Sequence, residues 1–310
     1  MKYLITGCSG FVAKHLVDHI SVMENEATFL GIDLVEPLFE YHHEFSNINL
    51  LDSEKLQRQI EKFKPDYILH LASFSSVAKS WNFPKECFSN NTNIFLNLVE
   101  AVRTSKVKTR ILSIGSSEEY GIVDKDMLPL KETHTLRPIS PYAVARVAQE
   151  QLSIIYSNSY SLDIVITRSF NHVGTGQLPV FVIPSIVKQF ASCAPNTTCT
   201  LTTGDLSIVR DFLDVRDVAR AYYQLLKKGK SGEVYNVCSG KGHSIHEVIN
   251  LISKIANKPY SIQEDPAFMR PNDNPVIIGS YEKLNQCTGW IPEIPLQDSL
   301  EAIYSSFVQE

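Results

Sequence analysis

The chain has 310 residues, 44% hydrophobic and 20% charged, with a formal charge of −5. This is globular composition, enough for one large domain or two. The acidic balance gives no footprint for nucleic acid, and no apolar stretch is long enough to span a bilayer. The first apolar run, Tyr3 to Ile5, stops at Thr6-Gly7 and does not read as a signal peptide. A cytoplasmic location is the expectation. Cys8, Cys87, Cys193, Cys199, Cys238 and Cys287 are scattered without metal-ligand spacing; all six are expected to be reduced thiols.

The first half alternates two patterns. Short apolar runs at Lys2–Thr6, Thr28–Asp33, Ile48–Leu50, Tyr67–Ala72, Arg110–Ile114 and Ile164–Ser169 read as strands buried on both faces. Between them lie helical spacings: Val12, Leu16 and Ile20, then Leu56, Ile60 and Phe63 behind Ser53 as the expected N-cap. This alternation predicts an α/β fold, a doubly wound Rossmann sheet.

Further on, a helix is expected to follow Asp214 and run to about Lys228, and a buried strand over Glu233–Cys238. Ser244-Ile245-His246-Glu247 has capping-box spacing, followed by Val248, Ile249, Ile252 and Ile255 on one face. Prolines cluster between Pro259 and Pro295. The expected division is a dinucleotide-binding domain of residues 1–171 plus 210–238, and a smaller mixed α/β substrate domain of 172–209 plus 239–310.

Thr6-Gly7-Cys8-Ser9-Gly10-Phe11-Val12-Ala13 joins the first strand to the first helix. Glycines let a backbone turn sharply against a pyrophosphate, and a helix N-terminus offers it N–H groups and a positive dipole end. Gly7, Ser9, Gly10, Phe11 and Val12 are therefore the candidate phosphate loop, and Ala13 still permits close helix–strand packing. Asp33 closes the second strand, where an acid binds both ribose hydroxyls and repels a 2′-phosphate. NAD(H) is expected over NADP(H).

Tyr142 and Arg146 share a helix face just after Pro141. A fixed cation favours the phenolate, so this tyrosine can exchange a proton with a carbonyl or hydroxyl oxygen. Ser116 and Glu118 follow the Arg110–Ile114 strand, where a parallel-sheet site opens.

Thr6–Ala13, His70-Leu71-Ala72, Gly115-Ser116-Ser117-Glu118-Glu119-Tyr120-Gly121 and Ser140-Pro141-Tyr142-Ala143-Val144-Ala145-Arg146 resemble successive motifs of the extended short-chain dehydrogenases. Phe170-Asn171-His172-Val173-Gly174, the segment Val209–Asp217, Tyr235–Gly240 and Asp265-Pro266 through Arg270-Pro271 resemble the GDP-4-keto-6-deoxy-D-mannose reductase branch. The resemblance implies that Ser116, Tyr142 and Arg146 form the catalytic set, with Glu118 beside them. It implies Asn49 and Leu50 near the adenine, and Leu71, Ala72 and Ser73 along the middle of the cofactor. Ser75, Asn171, Lys188, Arg210 and Arg270 would face the nucleotide-sugar, the two arginines at its diphosphate. A guanidinium fork matches phosphate oxygens in charge and shape. Surface pairing of Arg210 and Arg216 with Asp211, Asp214 or Asp217 is the alternative.

Two positions depart from the family pattern: Arg146 stands for its lysine, and Asn49 for its usual aspartate. The activity implied is reduction of the C4 ketone of a GDP-4-keto-6-deoxyhexose. Two alternatives stay open. One is a GDP-sugar 4,6-dehydratase or epimerase that recycles NAD internally, to which Ser116-Ser117-Glu118 is similar. The other is a catalytically impaired binder of NAD or nucleotide-sugar, suggested by Arg146. By the same resemblance, helices around 85–104 and 141–158 are expected to pair two copies into a homodimer through a four-helix bundle. No nucleic acid, membrane or metal partner is expected.

Overall fold

A computed structural model describes residues 1–37, 44–268 and 274–309. In chain order the first elements are β1 (Lys2–Thr6), α1 (Phe11–Met23), β2 (Thr28–Asp33), β3 (Glu44–Asn47), α2 (Ser53–Phe63), β4 (Tyr67–His70), α3 (Val77–Asn82), α4 (Pro84–Ser105), β5 (Arg110–Ser116), α5 (Pro141–Tyr160) and β6 (Asp163–Ser169). Then follow β7 (Asn171–Val173), α6 (Val182–Ser192), β8 (Cys199–Thr203), β9 (Val209–Asp214), α7 (Val215–Lys228), β10 (Val234–Val237), β11 (Gly242–Ser244), α8 (Ile245–Ala256), β12 (Tyr260–Glu264), β13 (Val276–Ile277), α9 (Glu282–Thr288) and α10 (Leu296–Gln309).

Seven strands form one parallel sheet in the order β3-β2-β1-β4-β5-β6-β10. Successive side chains of a strand point to opposite faces, and both faces here are apolar. Tyr3 and Ile5 join Leu16, Ile20, Val218 and Tyr222 beneath α1 and α7, while Leu4 joins Leu56, Ile60, Phe95 and Leu98 beneath α2 and α4. The chain order reverses between β1 and β4. That is the switch point of a doubly wound sheet, where a crevice opens beyond the strands' carboxyl ends.

Several expected boundaries move. The third strand is Glu44–Asn47 rather than Ile48–Leu50, because Glu44 to Asn47 lie in register with Leu30 to Asp33. Ile48 donates one last bond to Asp33 O (3.2 Å) and the chain then leaves the sheet. β4 ends at His70, which frees Leu71 and Ala72 for the crevice, whereas β5 runs on to Ser116. Asp52, not Ser53, caps α2, its carboxylate accepting from Lys55 N at 3.1 Å. The Ser244 capping box forms as expected, with Ser244 accepting from Glu247 N and Glu247 accepting from Ser244 N.

The remaining strands make two small sheets, β11-β9-β13 with β7 also on β9, and β12-β8. Helices α6, α8 and α10 pack around Phe190, Val248, Ile252 and Leu300. Cys193 and Cys199 form a disulfide, which corrects the expectation of six free thiols. The end of α6 and the start of β8 bring their Cα atoms to 5.8 Å, a proximity that sequence spacing does not reveal. Among the described residues no helix is long and apolar enough to cross a membrane.

Candidate functional site

The glycine loop lies at the switch point. Gly7 adopts φ +71°, and a Cβ there would lie 2.6 Å from Ala72 N, so both its conformation and its contact require glycine. Gly7 N donates to Ile32 O and Gly10 N to Gly7 O, closing the turn. Gly10 then caps α1 without any side-chain bond, and the first turn holds no acidic residue. The N–H groups of the first turn, from Phe11 and Val12 onward, are thus open to an anion. Thr6 staples this loop to the next strand. Its carbonyl accepts from Leu71 N (3.1 Å), and its hydroxyl accepts from Ala72 N (3.3 Å) and lies 2.9 Å from His70 Nδ1. His70 is fully buried, and burial, then the charge of Arg146, lowers its pKa to about 3.

Asp33 stands at the end of β2, its Oδ2 accepting from Ser9 N (3.0 Å) and its Oδ1 from Leu34 N (2.7 Å). Ser9 Oγ donates to Val35 O. Asn49 is exposed just beyond β3, its Oδ1 accepting from Leu51 N, and Leu50 is buried beside it. Leu71, Ala72 and Ser73 line the half-buried exit of β4. A glycine-bounded turn, an uncapped helix end and an acid at the ribose position suit a nicotinamide dinucleotide.

Ser116 terminates β5. Its hydroxyl accepts from Glu118 N (3.2 Å) and its N–H donates to Glu119 Oε1 (2.7 Å), a capping box on the 3₁₀ turn that follows. Glu118 is partly exposed there. Across from it, Ser140 caps α5 by accepting from Ala143 N (3.1 Å), and Pro141 opens the first turn. Tyr142 therefore sits at the buried start of a helix that packs on β5 and on the Ser117–Tyr120 turn. Arg146 lies one turn on, its Cζ 5.1 Å from the Tyr142 ring centroid. The guanidinium turns toward the sheet, where Nη1 donates to Ile114 O (3.0 Å) and to Gln149 Oε1 (2.7 Å).

Beneath Ser116 lies a buried ionic cluster. Arg168 pairs through two bonds of 2.8 Å with Glu150, and its Cζ lies 4.9 Å from the Tyr120 ring centroid. Burial, then the neighbouring Glu150 carboxylate, pushes Glu119 well above the usual carboxylate range. Gly115 is constrained by the same group, since a Cβ there would lie 2.4 Å from Glu119 Oε1.

The residues expected on the substrate side are more dispersed. Asn171 is half-buried on β7, beside the β9 that carries Arg210. Arg210 is buried, and its Nη1 donates to Val209 O (2.9 Å) and Asn274 O (2.7 Å). Asp211 instead accepts from Ser239 N, Ser239 Oγ, Gly240 N and Gly279 N. Burial raises its pKa to about 6 against those bonds. Arg216 does pair with Asp214, at 2.8 Å, as the surface-pairing alternative held. Ser75 and Lys188 are exposed, Lys188 on α6. Arg270 lies outside the described residues. Sequence reasoning missed Gln149, Glu119 and the Thr6–His70 contact. Gln149 left a signal, one helical turn beyond Arg146, and so did Glu119, which completes a Ser116-x-x-Glu capping-box spacing.

This sheet and these residues define an extended short-chain dehydrogenase/reductase, a class of NAD(P)-dependent nucleotide-sugar enzymes. The chain belongs to the GDP-mannose 4,6 dehydratase family, whose model matches residues 4–303. It is 34% identical over 307 residues to a GDP-6-deoxy-D-mannose reductase of Pseudomonas aeruginosa, covering 99% of this chain and 97% of the relative. It is 30% identical over 290 residues to a GDP-6-deoxy-D-talose 4-dehydrogenase of Aggregatibacter actinomycetemcomitans, covering 93% and 92%. The solved structure of RMD from Pseudomonas aeruginosa, complexed with NADPH, superposes with a TM-score of 0.86 at 33% identity, covering 99% of each chain.

Proposed function

We propose that this chain reduces the C4 ketone of a GDP-4-keto-6-deoxyhexose. The observation that carries the reading is that Ser116 ends β5, two strands from the β1 that feeds the glycine loop, while Tyr142 begins the helix packed on β5 and on the turn after Ser116. A reduced nicotinamide bound in the cradle supplies the hydride that C4 receives. Tyr142 gives its phenolic proton to the C4 oxygen as the alkoxide forms. Ser116 Oγ donates a hydrogen bond to that oxygen and holds it. Arg146 supplies positive charge beside the Tyr142 ring. Gly7, Ser9, Gly10, Phe11 and Val12 hold the pyrophosphate, Asn49 and Leu50 the adenine end, and Leu71, Ala72 and Ser73 the centre.

Arg210 and Arg270 bind the diphosphate of the sugar nucleotide, with Ser75, Asn171 and Lys188 along the same path. In this reading residues 1–171 plus 210–238 carry the dinucleotide, and 172–209 plus 239–310 the sugar nucleotide. Asp33 selects NAD(H) over NADP(H). Phe88 on α4, and Val144 and Ile155 on α5, expose apolar side chains, which supports a homodimer built on those helices. A monomeric mass in light scattering would remove that part.

The second reading is a GDP-sugar 4,6-dehydratase, favoured by Glu118 beside Ser116 and by the family model. The discriminating experiment supplies purified protein with a GDP-4-keto-6-deoxyhexose plus reduced cofactor, and separately with GDP-mannose alone. The reductase reading expects turnover only in the first, lowered about 10²- to 10⁴-fold by Tyr142→Phe. A 4-keto product in the second alone replaces it with the dehydratase.

A further inference from the structure

We infer that Gln149 is the positioning residue for Arg146, the partner that lets an arginine serve where the family pattern has lysine. Arg146 Nη1 has two acceptors, Ile114 O at 3.0 Å and Gln149 Oε1 at 2.7 Å. The Gln149 amide is itself oriented. Its Nε2 donates to Ser113 Oγ (2.9 Å) and Ile114 O (3.1 Å), so only its oxygen is left to face the guanidinium, which has donors alone. Ser113 Oγ is held in turn, 3.0 Å from Ser153 Oγ. Ser113, Arg146, Gln149 and Ser153 are all buried. The cluster therefore ties the guanidinium to β5 just before Ser116, and to α5 two turns beyond Tyr142.

The chemistry of the two cations explains why the tie matters. A guanidinium is planar, and its usefulness depends on how the plane is turned. An ammonium is a compact charge on a flexible stem that finds its own donor directions. Fixing Nη1 at two acceptors sets the plane beside the Tyr142 ring and leaves Nε buried with no hydrogen-bond partner among the described residues. An apolar residue at 149 leaves Nη1 one acceptor and lets the plane rotate. A lysine in place of Arg146 has no plane to lose, so it should depend little on residue 149.

The test is a double-substitution cycle on the full chain: wild type, Gln149→Leu, Arg146→Lys and the pair. The inference rests on the proposed reductase for its turnover readout. Dissociation constants for NADH, or for NADPH if it binds tighter, are therefore measured by nicotinamide fluorescence without any sugar. Gln149→Leu is expected to weaken cofactor binding about tenfold in the wild-type background and less than about twofold in the Arg146→Lys background. Losses of equal size in both backgrounds, or no loss in the wild-type background, would overturn the inference and leave Gln149 a packing residue. If Gln149→Leu does not melt cooperatively, Gln149→Met, of similar volume, takes its place. Failure of the reductase reading looks different: a wild type that binds the cofactor and reduces no GDP-ketosugar.

Discussion

Gly7 and Ala72 meet backbone to backbone across the switch point of the sheet, with room for no Cβ between them. This contact joins the glycine loop to the exit of β4. Gly7→Ala must strain a backbone at φ +71° and also push against Ala72. A non-glycine residue in that region costs about 1–3 kcal/mol before the contact is counted. The variant is expected to melt earlier and to lose cofactor binding, as read by thermal unfolding with and without NADH.

Asp33 Oδ2 accepts from Ser9 N, and the carboxylate closes β2 beside the loop. Its charge should repel a 2′-phosphate. Wild type is expected to use NADH with a higher kcat/KM than NADPH, and Asp33→Asn should narrow that ratio at least about tenfold. A wild type that prefers NADPH would refute the assignment of Asp33, and the NADPH bound to the similar Pseudomonas structure makes this comparison informative.

Arg168 and Glu150 are an almost fully buried pair, with side-chain exposures of 6% and 2%. Removing one partner strands the other charge. Arg168→Met is expected to cost about 3–5 kcal/mol in urea unfolding. Arg168→Met/Glu150→Leu should recover much of that loss, because two well-packed apolar side chains need no compensation. A double variant no better than the single one would show that the loss on removing Arg168 comes from its contacts with Glu132 O and Tyr120 rather than from a stranded Glu150.

His172 is half-buried on β7, its Nε2 3.3 Å from Tyr222 OH, and desolvation of the ring lowers its pKa to about 4. The unfolded chain binds this proton near pH 6.5 and the folded chain does not. The stability His172 contributes is therefore full above about pH 6.5 and is lost as pH falls toward about 4. His70 acts in the same direction, down to about 3. His172→Gln should flatten the acid limb of the melting-temperature profile relative to wild type. An unchanged slope between pH 6.5 and 4 would contradict the assignment.

The strands of the large parallel sheet were legible because strands buried on both faces are nearly continuous apolar runs; β1, β2 and α7 begin and end where their patterns do. β3 was misread for a physical reason. Ile48 and Leu50 are buried as loop residues over α2, which looks in sequence like a strand, while the paired segment Glu44–Asn47 at the sheet edge is polar but for Phe45, with both of its ends exposed. While the roles given to Ser116 and Tyr142 came from the family resemblance, the turn at Gly7 and the helix face shared by Tyr142 and Arg146 were readable from local spacing, since both are local facts. The role of Gln149 was not, because its importance lies in contacts with Arg146 and Ser113 fixed only by packing α5 against β5. The Cys193–Cys199 pair belongs to the same class.

The most direct measurement is hydride tracing. The purified protein is given a GDP-4-keto-6-deoxyhexose with NADH deuterated at nicotinamide C4, once on each face, and the sugar product is examined by NMR. A net C4 reductase is expected to consume one NADH per sugar and to deliver deuterium to sugar C4 from one face only. Unchanged NADH, together with conversion of GDP-mannose to its 4-keto-6-deoxy form without added cofactor, would contradict the account and make the chain a dehydratase.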